Sequence, residues 1–174
     1  IVATSTDESD DPLVAYIAQS GVSVFRGALE EVVVRFQQCL DQFPCKWVAR
    51  VCADSPLWDP RVYDRMMTYL EMDDIDLITN RFPRTFPKGN SLEIIKATTL
   101  ANIDTEKLTD GLKEHVCHLL YENPDDYRIV NIESDTGDRS EIDICVDTID
   151  DFRRIDRFLT SNRHEDRSST DDIC

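Results

Sequence analysis

The stretch Arg50-Val51-Cys52-Ala53-Asp54-Ser55-Pro56-Leu57-Trp58-Asp59-Pro60 brings the most chemistry into the fewest residues. It follows an apolar run, Lys46 to Val51, that reads as a buried strand, and it precedes a helical pattern that opens at Pro60. An acid just past the carboxyl end of a strand is where open α/β sheets place ligand-binding groups. Asp59 suits an N-cap and Pro60 a first helical residue, so the turn is specified where it enters the helix. On spacing alone, a strand-to-helix loop with nothing bound is the simpler reading.

The elements that must hold this turn alternate along the chain. Ile1 to Ser5 reads as a strand, followed by the acidic loop Thr6 to Asp11 and a helix starting at Asp11-Pro12 with Leu13, Ile17 and Ala18 inward. Gly21 suits the residue after a helix end. Val22 to Phe25 reads as the next strand, and Leu29, Val32, Val33, Phe36 and Leu40 follow helical spacing. After the Pro60 helix, with Val62, Met66 and Leu70 inward, comes a strand at Ile75 to Ile78 and then the loop Arg81 to Gly89, too proline-rich for regular structure. Leu92 to Ile95 reads as a strand, Ala97 to Ala101 as a helix, and Glu106 to Glu122 as a longer helix ended by Asn123-Pro124. Tyr127 to Ile132 and Ile142 to Val146 read as strands. Thr148 with Asp151 forms a capping box for a last helix carrying Phe152, Ile155 and Leu159. Strands alternating with helices imply βαβ crossovers and a mainly parallel sheet over residues 1 to 160, with a polar tail from 161 to 174.

The same stretches carry a resemblance. Arg50-x-x-x-Asp54-x-Pro56-Leu57-x-Asp59-Pro60, Phe25-Arg26-Gly27 with Val32 and Arg35-Phe36, Pro83-Arg84-Thr85-Phe86-Pro87-x-Gly89, Glu114-His115-Val116 with Glu122-Asn123-Pro124, and Val146-Asp147-Thr148-x-x-Asp151-Phe152 occur in register. Together they resemble the cytidylyltransferase family that includes the spore-coat polysaccharide enzymes and is related to the acylneuraminate and deoxy-octulosonate cytidylyltransferases. The resemblance implies a Rossmann-like three-layer α/β/α nucleotide-diphospho-sugar transferase-like fold. It also implies that an oxygen of a sugar-type acceptor attacks the α-phosphate of CTP with Mg²⁺ present.

Asp54 and Asp147 match the family's metal-site acids, which the resemblance brings to one crevice; for Asp147 the other reading is capping beside Thr148. Arg84 is the first candidate to hold anionic groups of acceptor or phosphate, because a guanidinium fork suits both. Arg26 and Arg50 come next, with Arg81 beside them, and each also reads as a surface arginine in an acidic chain. Glu93 matches an acid implied to bind acceptor. Glu114 and His115 are further candidates, although a histidine on an apolar helix is more often a packing residue. His118, three residues on, invites a metal reading that fails for want of a third ligand. No residue is singled out as catalytic. Lys88 and Ser91 stand where the family has acids; if those acids select the acceptor, the replacement implies another acceptor or none.

The family opens with a strand and a basic, glycine-containing loop that grips the nucleotide, and nothing in residues 1 to 174 resembles it. The sequence therefore reads as an N-terminally truncated version of the fold, expected not to catalyse CTP transfer as this chain. A missing inner strand would leave strand edges to be filled, by a homodimer with segment exchange or by rearrangement. The alternative function is a non-catalytic relic that oligomerises or binds a small acidic sugar.

Composition narrows the partners. A formal charge of −16 over 174 residues repels nucleic acid and anionic lipid, and any phosphate site must be locally exceptional. No apolar run approaches the length of a membrane span. The six cysteines form no Cys-x-x-Cys pair, consistent with thiols in a reducing cytoplasm.

Overall fold

The computed structural model describes residues 1 to 161. Among the described residues seven α-helices and six strands are arranged in two compact units: residues 1–48 with 96–126, and 49–95 with 127 onward. The tail expected from 161 lies, apart from Ser161, outside the described residues.

In the first unit β1 (Val2–Ser5) and β2 (Val24–Gly27) form a parallel pair, from Val2 beside Val24 to Ser5 beside Gly27. Among the described residues β1 has a partner on that side alone. Helix α1 (Asp11–Gln19) joins them as a crossover, and Gly21 at φ +70° turns the chain out of it. The inward side of α1 is Ile17; Leu13 and Ala18, expected inward, are exposed. Helix α2 (Val32–Gln42) begins three residues after Leu29, the first apolar residue of the expected spacing. The intervening turn is held by Arg35, whose Nη1 donates to the Ala28 carbonyl at 2.9 Å.

Helix α4 (Ala97–Ala101) matches its expected bounds. The long helix expected at 106–122 does not form. A 3₁₀ turn (Thr105–Lys107) and two short helices, α5 (Asp110–Glu114) and α6 (His118–Glu122), take its place. Thr109 caps the start of α5 through its hydroxyl, and His115 at φ −115° and ψ 99° leaves the helical region. An N-cap favours a fresh start over continuation, and Gly111 lowers the helix propensity across the stretch. Among the described residues Ile17, Val33, Ala97, Leu100 and Leu120 are the buried apolar residues of this unit's elements, and Ile103, Val116 and Cys117 are buried in its connections.

The loop after β1 is closed by its own side chains. Asp10 accepts from the Thr4 hydroxyl, the Ser5 amide and the Ser5 hydroxyl at 2.6, 2.8 and 2.6 Å. Those bonds, led by the Ser5 hydroxyl, pull its carboxyl down to about 2.

The four-stranded sheet has the order β3-β5-β4-β6, from β3 (Trp47–Arg50), β4 (Leu77–Thr79), β5 (Glu93–Lys96) and β6 (Ile129–Asn131). The unit boundary falls within β3 and at the end of β5. β4 and β6 run parallel, and β4 and β5 antiparallel. The architecture is a mixed α/β fold rich in parallel pairing.

Strands β4 and β5 supply the driest core, with Leu77, Ile78, Ile94 and Ile95 at 1 % exposure or less. By contrast β3 is half-buried rather than buried, and Val51 is exposed. Helix α3 (Pro60–Met67) packs Val62 and Met66 inward. The expected strand at Ile142–Val146 is reduced to a single parallel bridge between Lys88 and Asp143. In the last helix, α7 (Ile149–Ser161), Ile155 is buried while Phe152 is 55 % exposed. The Thr148–Asp151 capping box is present in both directions, at 3.0 Å from the Thr148 amide and 3.2 Å from the Asp151 amide.

Candidate functional site

Asp54 lies in the loop between β3 and α3, the turn singled out above. Asp59 caps α3 by accepting from the Arg61 amide at 2.9 Å, and Pro60 is its first residue. Behind the loop, the Asp59 amide donates to the Asn90 side-chain oxygen at 2.9 Å. Asn90 is tied in turn to the end of β4, where Asn80 Nδ2 donates to its carbonyl at 2.6 Å. Asn80 and Asn90 are both buried, so these bonds satisfy backbone that the loop would otherwise strand away from water.

The segment carrying Asp147 is brought to the same place from far along the chain. Lys88 donates its amide to Ile142 and accepts from Ile144, both at 2.9 Å. Gly89 makes this approach feasible: its φ is +89°, and a Cβ there would lie 2.8 Å from the Ile144 carbonyl carbon. Two residues further, the Val146 amide donates to the Asp54 carbonyl at 2.8 Å. The residue before Asp147 is thus bonded to the backbone of Asp54.

Both acids are exposed. The Asp54 carboxylate accepts from the Ser55 hydroxyl at 2.7 Å, and among the described residues Asp147 accepts no hydrogen bond. The Cys145 thiol senses both: burial pushes it up to about 11, and the charges of Asp143, Asp54 and Asp147 add to the shift. Among the described residues no group of three His, Cys, Asp or Glu side chains could hold a metal ion. Carboxylate oxygens are hard donors of the kind Mg²⁺ takes, and Mg²⁺ keeps its other positions for water and phosphate.

Arg84 donates to the Ser91 hydroxyl at 2.9 Å. Glu93, expected to meet an acceptor, is 2 % exposed at the start of β5 and is held by Arg50 at 2.6 Å and Arg81 at 3.4 Å. The three form a mostly buried charged cluster. The Cys52 thiol nearby is pushed up by burial, with Arg50, Asp54, Glu93 and Arg81 all acting on it. Arg81 was the weaker candidate on sequence; its place with Arg50 on one acid had no signal beyond its position three residues before Arg84.

Arg26, Glu114 and His115 belong to the first unit. Arg26 is committed to the β1 loop, donating to the Ser5 and Asp7 carbonyls at 2.8 and 2.9 Å and pairing with Asp11 at 2.7 Å. Glu114 ends α5 and is exposed. His115, expected to pack on a helix, is exposed between two helices, with its ring 4.3 Å from that of His118.

No protein-family profile matches the chain. It is 27% identical over 172 residues to an uncharacterized protein of Methanocaldococcus jannaschii, covering 98% of this chain and 68% of that protein. It is 30% identical over 159 residues to the spore coat polysaccharide biosynthesis protein SpsF of Bacillus subtilis, covering 89% of this chain and 64% of SpsF. The chain therefore spans about two thirds of the length of these relatives. Among solved structures it matches a cytidylyltransferase from Leptospira borgpetersenii with a TM-score of 0.85 and 23% identity, over 95% of this chain and 69% of the other, which shows a shared fold.

Proposed function

We propose, for a chain that belongs to the cytidylyltransferase family by homology to SpsF and by fold, that it serves CTP-dependent nucleotidyl transfer to a sugar-type acceptor in surface polysaccharide synthesis. The observation that supports this reading is the bond from the Val146 amide to the Asp54 carbonyl, which joins the Asp54 loop to the residue before Asp147. Asp54 and Asp147 would hold Mg²⁺, which when bound neutralises charge developing on the phosphates. Ser55 orients one Asp54 oxygen through its hydroxyl.

Glu93 fixes Arg50 and Arg81, so these two guanidinium groups enter the site with little conformational freedom left to lose. Arg84, steadied by Ser91, is the candidate to hold an anionic group of the acceptor. The nucleotide-gripping loop of the family has no counterpart in residues 1 to 174, and the proposal includes that these residues alone do not turn over CTP. A reaction drawing on CTP is assigned to the cytoplasm.

The test is thermal melting of the 174-residue chain with CTP, with Mg²⁺, and with both. A ligand that prefers the folded state raises the melting temperature. Stabilisation by CTP with Mg²⁺ that disappears in Asp54→Asn and Asp147→Asn is expected; the same stabilisation in both variants overturns the metal assignment.

A second reading rests on β1, whose pairing among the described residues is to β2 alone. A second copy adding a strand to that edge would form a homodimer. Light scattering that returns a strict monomer at all concentrations overturns it.

A further inference from the structure

Residues 144 to 147, which end on Asp147, belong to no helix or strand. Their backbone is fixed at separate points instead. Ile144 is buried and its amide donates to the Lys88 carbonyl at 2.9 Å, and the Val146 amide donates to the Asp54 carbonyl at 2.8 Å. Beyond Asp147, the Thr148 amide and hydroxyl donate to one oxygen of Asp151 at 3.0 and 2.7 Å. Holding irregular backbone in one conformation costs entropy, so each of these ties bears on where Asp147 stands.

One side chain joins the two ends of this segment. From α7, Arg154 donates through Nη1 to the Asp143 carbonyl at 2.8 Å and through Nη2 to the other oxygen of Asp151 at 2.9 Å. The Asp151 carboxylate is therefore shared, with Oδ2 on Thr148 and Oδ1 on Arg154. Asp143 precedes the segment and Thr148 follows it, so Arg154 and Asp151 close a ring around residues 144 to 147. A guanidinium suits the task because its planar fork presents several donors in fixed geometry.

The neighbouring arginine isolates what the bridge adds. Arg153 pairs with Asp150 at 3.0 Å over the same spacing of three residues, and among the described residues its side chain bonds nothing outside α7. Such a pair along one exposed helix contributes little. Arg154 differs in its bond to Asp143, eleven residues back, and in using an acid that also belongs to the capping box of α7.

We propose that Arg154 is a positioning residue, which seats the segment carrying Asp147 on the Asp54 loop by bridging the Asp143 carbonyl and the Asp151 carboxylate. What Asp147 does there rests on the metal reading above; where Arg154 holds its segment does not.

The experiment follows amide hydrogen exchange in the whole 174-residue chain labelled with ¹⁵N, as the parent and as Arg154→Met, Arg154→Lys and Arg153→Met. Methionine keeps an apolar stem and removes the donors, whereas lysine keeps the charge on one donor centre that cannot span both acceptors. Loss of charge-assisted bonds should make the Val146 amide exchange about tenfold faster in Arg154→Met. A smaller increase is expected in Arg154→Lys and none in Arg153→Met, with the amides of Ile78 and Ile94 in the β4–β5 core unchanged throughout. The proposal is overturned if Val146 keeps its parental rate in Arg154→Met or in Arg154→Lys. It is equally overturned if Arg153→Met matches Arg154→Met, or if Ile78 and Ile94 speed up as much as Val146, which would mark a general loosening. In a second arm Mn²⁺, which takes oxygen ligands as Mg²⁺ does, is added as a paramagnetic probe. It should broaden the Ser55 and Thr148 amides in the parent and Ser55 alone in Arg154→Met; broadening of both in that variant counts against the proposal. Failure of the metal reading shows itself separately, as no broadening of either amide in the parent, and the Val146 exchange rate then decides the role of Arg154 alone.

Discussion

Two loops in this molecule are built to the same plan and finished differently. Each leaves the carboxyl end of a strand, each is acidic, and each feeds a helix with proline in its first turn: Ser5 to Pro12 after β1, and Arg50 to Pro60 after β3. In the first, the acid is consumed by the loop. Asp10 receives three hydrogen bonds from Thr4 and Ser5, and Arg26 clasps the Ser5 and Asp7 carbonyls. In the second, Asp54 receives one hydroxyl and its neighbour Asp147 none among the described residues. The charged clamp of that region lies on a different residue, Glu93. An acid whose lone pairs are filled by its own turn holds structure, whereas one left with lone pairs toward solvent is available for a ligand.

The comparison is broken most sharply at Glu93. Glu93→Gln leaves Arg50 and Arg81 without their carboxylate in a largely dry setting and should destabilise by about 3 kcal/mol in urea unfolding. Gly89→Ala comes next. The left-handed backbone and the contact with Ile144 both resist a Cβ, with an expected loss of about 2 kcal/mol by the same measurement.

In the first loop the expected effect is smaller and depends on pH. The Asp10 carboxyl is lowered to about 2 when folded, from 3.8. Its contribution is therefore complete above 3.8 and is lost as pH falls toward 2. Asp10→Asn should lower the urea midpoint near neutrality, and the gap from the parent should close on acidification. A gap independent of pH would refute the hydrogen-bonded carboxylate.

Smallest of all are Asp54→Asn and Asp147→Asn. They remove no filled network and should change stability by less than about 0.5 kcal/mol. Equal losses in Asp10→Asn and Asp54→Asn would erase the distinction between the two loops.

Much of this contrast is written in local sequence. Asp59-Pro60, the Thr148–Asp151 box and Gly21 each act over a few residues, and each does what its chemistry dictates. The helix expected at 106–122 failed because its apolar spacing outweighed Thr109, Gly111 and His115 in the reading, while in the folded chain those residues divide it. The Ile142–Val146 segment has a strand's composition and finds one bridge to Lys88. Leu13 and Phe152 fit helical periodicity yet lie exposed, because period fixes a face and only the neighbours decide whether it is covered. The residues that carry the resemblance were legible through motif order, and the Asn90 bonds were not. Those depend on loops meeting across scores of residues, which no local pattern encodes.

The Lys88 bridge has a temporal consequence. It joins positions more than fifty residues apart with two backbone bonds, so closing it costs chain entropy that no neighbouring ladder repays. The amides of Ile144 and Val146 thus serve as a clock for the acid pair. Their exchange with deuterium, followed during refolding, would date the moment at which the segment before Asp147 docks on the Asp54 loop.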